Sequence, residues 1–211
     1  AGTAIDAEHP LEGNFQGSNI YIIDYSSSPT LYIGQLDLGQ GGIYASDCSL
    51  DVVGVDTNSR LRAKELVLSD DSNDLELYDI DMELDYLYVG DEIDMNDSRL
   101  TVGLVENCGE SCCGLELYGN SELIADEINW MDHLYLEGNA SLQAKDARLI
   151  LLHLMDDATA EIDRLTTVDA YLDEYDSEYK GALWLADNAT AKIGRADIAT
   201  QVKLEGNSKL E

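Results

Sequence analysis

Basic residues are scarce in this chain. Twelve Lys and Arg stand against 43 Asp and Glu in 211 residues, a formal net charge of −31. A surface of that sign repels phosphate backbones and anionic lipid, which argues against nucleic acid and anionic membrane as partners. Proline is nearly missing, with two residues, so no Pro-rich linker divides the chain. No apolar run reaches the roughly eighteen residues a bilayer span needs, so no transmembrane segment is expected. The aromatic content is almost entirely Tyr, twelve residues against two Trp and one Phe. Histidine is limited to His9, His133 and His153. No Gly-x-Ser-x-Gly elbow, His-x-His pair or His-Glu-x-x-His helix signature occurs. His153 lies between Leu152 and Leu154, where alternation puts it on the solvent side of a strand, and His133 follows Asp132. Both are expected to be exposed and incidental, and no catalytic residue is assigned.

What is present begins with a hydrophobic fraction of 45%, enough for a core and too much for a disordered acidic polymer. Three uses of the acidity stay open: a solvated face in a salty medium, hard oxygen ligands for a divalent cation such as Ca²⁺, or complementarity to a cationic partner. Four cysteines, Cys48, Cys108, Cys112 and Cys113, allow three pairings that sequence does not distinguish. The last three sit in a loop of small residues near 107–114. Cys-x₃-Cys-Cys without a nearby His fits structural zinc poorly, so disulfides in an oxidising compartment are expected. Cys48 lies more than two repeats before Cys108, which leaves open a cysteine that bridges subunits. The start at Ala1-Gly2-Thr3 suits a mature secreted protein.

The organising feature is an internal repeat. Five segments share one template: apolar, any, apolar, any, Gly or Asp, Asn or Asp, Ala or Ser. They are Leu115-Glu-Leu117-Tyr-Gly119-Asn120-Ser121, Leu134-Tyr-Leu136-Glu-Gly138-Asn139-Ala140, Leu152-His-Leu154-Met-Asp156-Asp157-Ala158, Leu183-Trp-Leu185-Ala-Asp187-Asn188-Ala189 and Val202-Lys-Leu204-Glu-Gly206-Asn207-Ser208. They are spaced by 19, 18, 31 and 19 residues, and the long interval divides if Ala170–Tyr175 is a degenerate copy. Each copy reads as strand, corner, strand, with Asn120, Asn139, Asp157, Asn188 and Asn207 at corners that call for left-handed backbone. The second strand carries Leu123/Ala125, Leu142/Ala144, Ala160/Ile162 and Ala191/Ile193, a large-for-small exchange suited to a narrow shared interior. A further apolar position, Ile128, Ala147, Leu165 and Ala196, is expected to turn the chain toward the next coil. The segment Val53-Gly-Val55-Asp-Thr57-Asn58-Ser59-Arg-Leu61-Arg-Ala63 matches position for position, with Asn58 as its corner. Leu36–Gly41 and Leu87–Asp91 match more loosely.

A repeat of eighteen or nineteen residues is too short for a helix plus two strands. It predicts an all-β, single-domain β-solenoid (β-helix) over 31–211, of about ten coils rising about 4.8 Å each. Residues 1–30 fit the template poorly and are expected to be an N-terminal cap or extension.

The run Leu-x-Leu-x-Gly-Asn-Ala/Ser-x-Leu-x-Ala resembles the head GIN domain, an auto-transporter adhesin domain, over residues 115–211 and more loosely over 50–68. The resemblance implies a β-solenoid in a secreted or surface-attached protein. Where that family carries Gly-Ser-Gly-Asp at the corner, this chain has Gly-Asn-Ser or Asp-Asn-Ala, and no catalytic residue carries across.

Carboxylate clusters at Asp70, Asp71 and Asp74 and at Asp91, Asp94 and Asp97 are either solvated turns or Ca²⁺ sites, since stacked coils bring acids of neighbouring rungs together. Neither an EF-hand loop nor a Gly-Gly-x-Gly-x-Asp nonapeptide is present. Asn96, Asn139 and Asn188 begin glycosylation sequons, two of which coincide with the corner motif. The expected function is that of a non-enzymatic extracellular structural or adhesive protein, pairing with itself or with another cell-surface component. The alternative is a Ca²⁺- or carbohydrate-binding surface module, and a polysaccharide-acting enzyme ranks below both.

Overall fold

The computed structural model describes residues 6–23, 28–69, 73–107, 114–169 and 182–211. Among these residues there are eighteen strands and no helix, hence no helix long and apolar enough to cross a membrane. Apart from one isolated antiparallel bridge, Asp6–His9, every pairing is parallel and joins one coil to the next. The chain is a β-solenoid.

Three inward columns of side chains build the interior. One runs Leu31, Val52, Leu77, Met95, Leu117, Leu136, Leu154 and Leu185 along the first face. The second face carries Leu36, Leu61, Met82, Leu100, Leu123, Leu142, Ala160, Ala191 and Leu210. The third carries Ile43, Leu66, Leu87, Val105, Ile128, Ala147 and Leu165. Nearly all of these side chains are buried in one continuous apolar core. Period-two alternation inside each short strand sends one set inward and leaves the charged set outward.

The second-face column has nine rungs, so eight turns separate Leu36 from Leu210. That is fewer than the ten coils expected. Successive coils use 25, 21, 18, 23, 19, 18, 31 and 19 residues, because longer connections are absorbed at the coil corners. At about 4.8 Å per rung the eight turns span about 40 Å. The 31-residue interval is one coil: Leu152 pairs directly with Leu183 and Leu154 with Leu185, so no rung fits between them. The degenerate copy expected at Ala170–Tyr175 lies outside the described residues.

Two further expectations are corrected. Ile128, Ala147 and Leu165 do not turn the chain; they are inward rungs of the third face. The bend falls two residues earlier, at Lys64, Asp85, Gly103, Asp126, Lys145, Asp163 and Gly194, where the pairing skips one residue and resumes on the next face. The Val53 copy matches only in its second strand. Val52, not Val55, shares the column of Leu77 and Leu117, and the corner that follows is correspondingly longer. The looser copies lie on other faces: Leu36 on the second and Leu87 on the third.

The large-for-small exchange is present in the structure. Leu123 stacks on Leu142, then Ala160, then Ala191, while Ala125, Ala144, Ile162 and Ile193 form the adjacent column. At the corner, left-handed backbone falls on Gly119, Gly138, Asp156, Asp187 and Gly206, one residue before each predicted Asn or Asp. The Asn side chains have a separate task. Asn139 donates to Asn120 Oδ1 at 3.3 Å, Asn120 to Asp97 at 2.9 Å, Asn207 to Asn188 at 3.2 Å and Asn188 to Asp157 at 3.0 Å. The small third corner residue, Ser121, Ala140, Ala158 or Ala189, is fully buried, which explains why only Ser and Ala stand there. Asn58 sits in the longer first corner, its N–H held by Asp56 Oδ1 at 2.7 Å.

Below the first complete coil, Leu11–Asn14 pairs with Ile33–Asp37 and Ile20–Ile23 with Ile43–Ser46. Leu11, Ile20 and Ile22 pack against the core.

Candidate functional site

The first face carries an outward column made by the variable residue between the two apolar residues of each strand. It runs Thr30, Asp51, Glu76, Asp94, Glu116, Tyr135, His153, Trp184 and Lys203. Four carboxylates stand on consecutive rungs at about 4.8 Å spacing, and the column then becomes aromatic. Tyr135 meets His153 edge-on at 5.1 Å between centroids, His153 stacks on Trp184 at 4.0 Å, and Lys203 Nζ lies 3.9 Å from the Trp184 ring centroid.

Parallel in-register stacking places like charges side by side, which is unfavourable unless something compensates. His133 compensates at the top of the acidic run. It stands one residue before inward-facing Leu134, beside the Glu116 rung, and its immediate neighbour on the preceding coil is Gly114. A Cβ at Gly114 would overlap the His133 ring. With no side chain there, the imidazole lies across the gap, its Nε2 3.2 Å from Glu116 Oε1 and 3.9 Å from Glu92 Oε1. Glu92 precedes Ile93, which pairs with Leu115, so Glu92 continues the same column on the far side of Gly114.

The electrostatics follow from this crowding. Burial pushes Glu92 up to about 7, reinforced by Glu116 and Asp94. Burial likewise pushes Asp94 up to about 6, helped by the charges of Glu116, Glu76 and Asp74. Hydrogen bonding from His133 holds Glu116 below its ordinary value despite burial. For His133, burial acts to lower the value, but the hydrogen bond and charge of Glu116, with Glu92 and Asp132, outweigh it and the imidazole is raised. Asp94 Oδ1 is fully buried with no hydrogen-bond partner.

Both histidines depart from the exposure expected of them. His133 is about two-thirds buried, and His153 is 9% exposed. Alternation along a strand decides which way a residue points, whereas the rungs above and below decide whether it is covered. For His153 those rungs carry Tyr135 and Trp184.

Of the predicted acidic clusters, only Asp94 joins this site. Asp97 is a corner residue with left-handed backbone that accepts the Asn120 N–H and side-chain amide. Asp74 Oδ1 accepts the Glu92 N–H at 3.4 Å, and burial, aided by the Asp74 charge, raises Asp91. Asp70 and Asp71 lie outside the described residues. So do Cys108, Cys112 and Cys113, while Cys48 is buried near Leu50. Glu92, Glu116 and His133 were missed because they are remote in sequence. Their signal lay in the template itself, since aligned copies set Glu116, Tyr135, His153, Trp184 and Lys203 in one column and Gly114 and His133 together in the position before the first apolar residue.

On the second face the outward charges alternate between coils. Arg60 bonds Glu83 at 2.7 Å, Arg99 approaches Glu122 at 3.1 Å, and Lys192 bonds Glu161 at 2.5 Å. On the third face Arg164 pairs with Asp146. These exposed pairs relieve repulsion and contribute little stability individually.

The fold and its side-chain columns define a parallel β-solenoid with one acidic-to-aromatic face. No family model, curated protein or solved structure matches the chain.

Proposed function

We propose that this chain is a non-enzymatic, extracellular structural or adhesive β-solenoid that engages further copies of itself or another cell-surface component through its flat faces. The observation that carries this reading is the first-face column, which presents acids and then aromatics at one fixed spacing on a rigid frame. A surface of that kind matches a partner that is itself periodic. The resemblance of the corner motif to head GIN repeats supports the same reading. Sedimentation velocity and electron microscopy of the whole chain, with a cell-surface pull-down, test it. Ordered assemblies or saturable surface binding that Glu76→Lys weakens are expected. A monomer at all concentrations that binds no surface, or turnover of a polysaccharide, overturns it.

A carbohydrate-binding role is the second reading, favoured by the aromatic steps of the same column. Tyr118, at the next outward position beside that column, lies 6.1 Å from Tyr135, and Tyr135 adjoins His153, an arrangement suited to the apolar faces of sugar rings. A glycan array separates it from self-association.

A further inference from the structure

We propose that Glu92, Glu116 and His133 are the protein ligands of a divalent metal ion of the zinc class. One donor atom from each of the three residues lies within 4.8 Å of the other two. A tetrahedral ion with bonds of about 2.0–2.1 Å places its ligand atoms about 3.3 Å apart. The His133–Glu116 separation of 3.2 Å already meets that value, and the His133–Glu92 separation of 3.9 Å needs a shift of roughly 0.6 Å.

Three features set this group apart from the acid-rich surface around it. One ligand is an imidazole, the commonest nitrogen ligand of zinc, itself largely buried and held between the partly buried Glu116 carboxylate and the more open Glu92. The rung between Glu92 and His133 is Gly114, and any larger residue there would fill the space into which the imidazole is folded. Beside them, Asp94 Oδ1 is a fully buried oxygen with no hydrogen-bond partner, on the strand that pairs with that of Glu116. The donor set also selects the ion. Ca²⁺ takes six to eight oxygen ligands at longer range, whereas one nitrogen and two carboxylates suit zinc and its neighbours in the first transition row. The site differs from the carboxylate clusters predicted from sequence and does not depend on the adhesive reading.

The test is calorimetry and thermal melting of the whole chain with Zn²⁺, in excess Ca²⁺ to occupy diffuse acidic sites. One saturable Zn²⁺ site and a raised Tm are expected, with an NMR shift of the His133 imidazole. His133→Gln should weaken binding at least tenfold, on the order of what losing even a ligand's support costs. His9→Gln should leave binding unchanged. Gly114→Ala keeps every ligand but displaces the ring, and it too should weaken binding while circular dichroism stays that of the parent. Absence of a Zn²⁺ site in the presence of Ca²⁺, or equal Zn²⁺ affinity in the parent and both the His133 and Gly114 variants, overturns the assignment.

Discussion

The imidazole of His153 lies flat on the indole of Trp184, with 4.0 Å between centroids and 8° between planes. Burial holds its value down at about 4, and the Lys203 charge adds to this while Glu205 partly offsets it. A histidine depressed in this way is neutral in the folded chain and takes a proton more readily when unfolded. Its contribution is therefore complete above the unfolded value near 6.5 and is lost as pH falls toward 4. The full shift corresponds to roughly 3 kcal/mol at most. His153→Phe keeps a flat ring in the stack and removes the titration. Thermal melts between pH 4 and 6.5 should show a shallower loss of Tm in the variant, and identical slopes would refute the assignment.

The acidic run predicts the opposite sign at higher pH. Asp94 is held at about 6 and Glu92 at about 7, in both cases mainly by burial. An acid raised in the folded state stabilises the fold while protonated. That contribution is present below the unfolded value and disappears as pH rises through about 6 and about 7. Asp94→Asn removes the penalty, so in metal-free buffer it should raise stability at pH 8 by about 1–2 kcal/mol. Near pH 3, where the parent carboxyl is already neutral, the variant should differ little. Urea melts at the two pH values decide it, and an equal effect at both would count against the crowding of Asp94 by Glu116 and Glu76.

Much of this fold was legible in the sequence because its copies are contiguous and their apolar residues recur at period two. The corner motif was also visible, since only Gly and Asp supply the left-handed residue and only Ser or Ala fits behind it. The N-terminal copies were harder to place. Their corners vary in length, so Val53 and Val55 mimic the template while Leu50 and Val52 occupy the rungs. The site was hidden for a different reason. His133 reaches Glu92 across Gly114, a contact between alternate coils that alternation within one strand does not express. His153 shows the same limit, because its cover comes from Tyr135 and Trp184 on the adjacent coils.

The exchange along the second face gives a packing prediction. Leu142 stacks on Ala160, and beside them Ala144 stacks on Ile162. Leu142→Ala should cost about 2–5 kcal/mol through the cavity it leaves. Ala160→Leu should cost about 1–3 kcal/mol through overpacking. In the double variant the large side chain moves up one rung into the space released below it. Its loss should fall short of the summed single losses by about 1 kcal/mol or more, read from a double-mutant cycle in urea. Strict additivity would mean that the two positions do not share one interior volume.

At the corner, Gly138 has φ +75° and Asp156, its neighbour on the next coil, has φ 55°. The two are tied by the Asp157 N–H to the Gly138 carbonyl at 3.0 Å and by the Gly138 N–H to Asp156 Oδ2 at 3.3 Å. A Cβ at Gly138 would also stand 3.1 Å from the Gly119 carbonyl oxygen of the coil below. Gly138→Ala should therefore lose about 1–2 kcal/mol, the left-handed penalty of a residue with a Cβ. Gly138→Asn should lose less, because a short polar side chain offsets part of that penalty by hydrogen-bonding nearby backbone, as Asp156 does with the Gly138 N–H. Asp187→Gly, at φ 55°, should be neutral or stabilising by up to about 1 kcal/mol. The order Gly, then Asn, then Ala at position 138 is the discriminating result, measured by chemical denaturation. If Ala were tolerated as well as Asn, the backbone at this corner would not be left-handed, and the coil would have to close by another route.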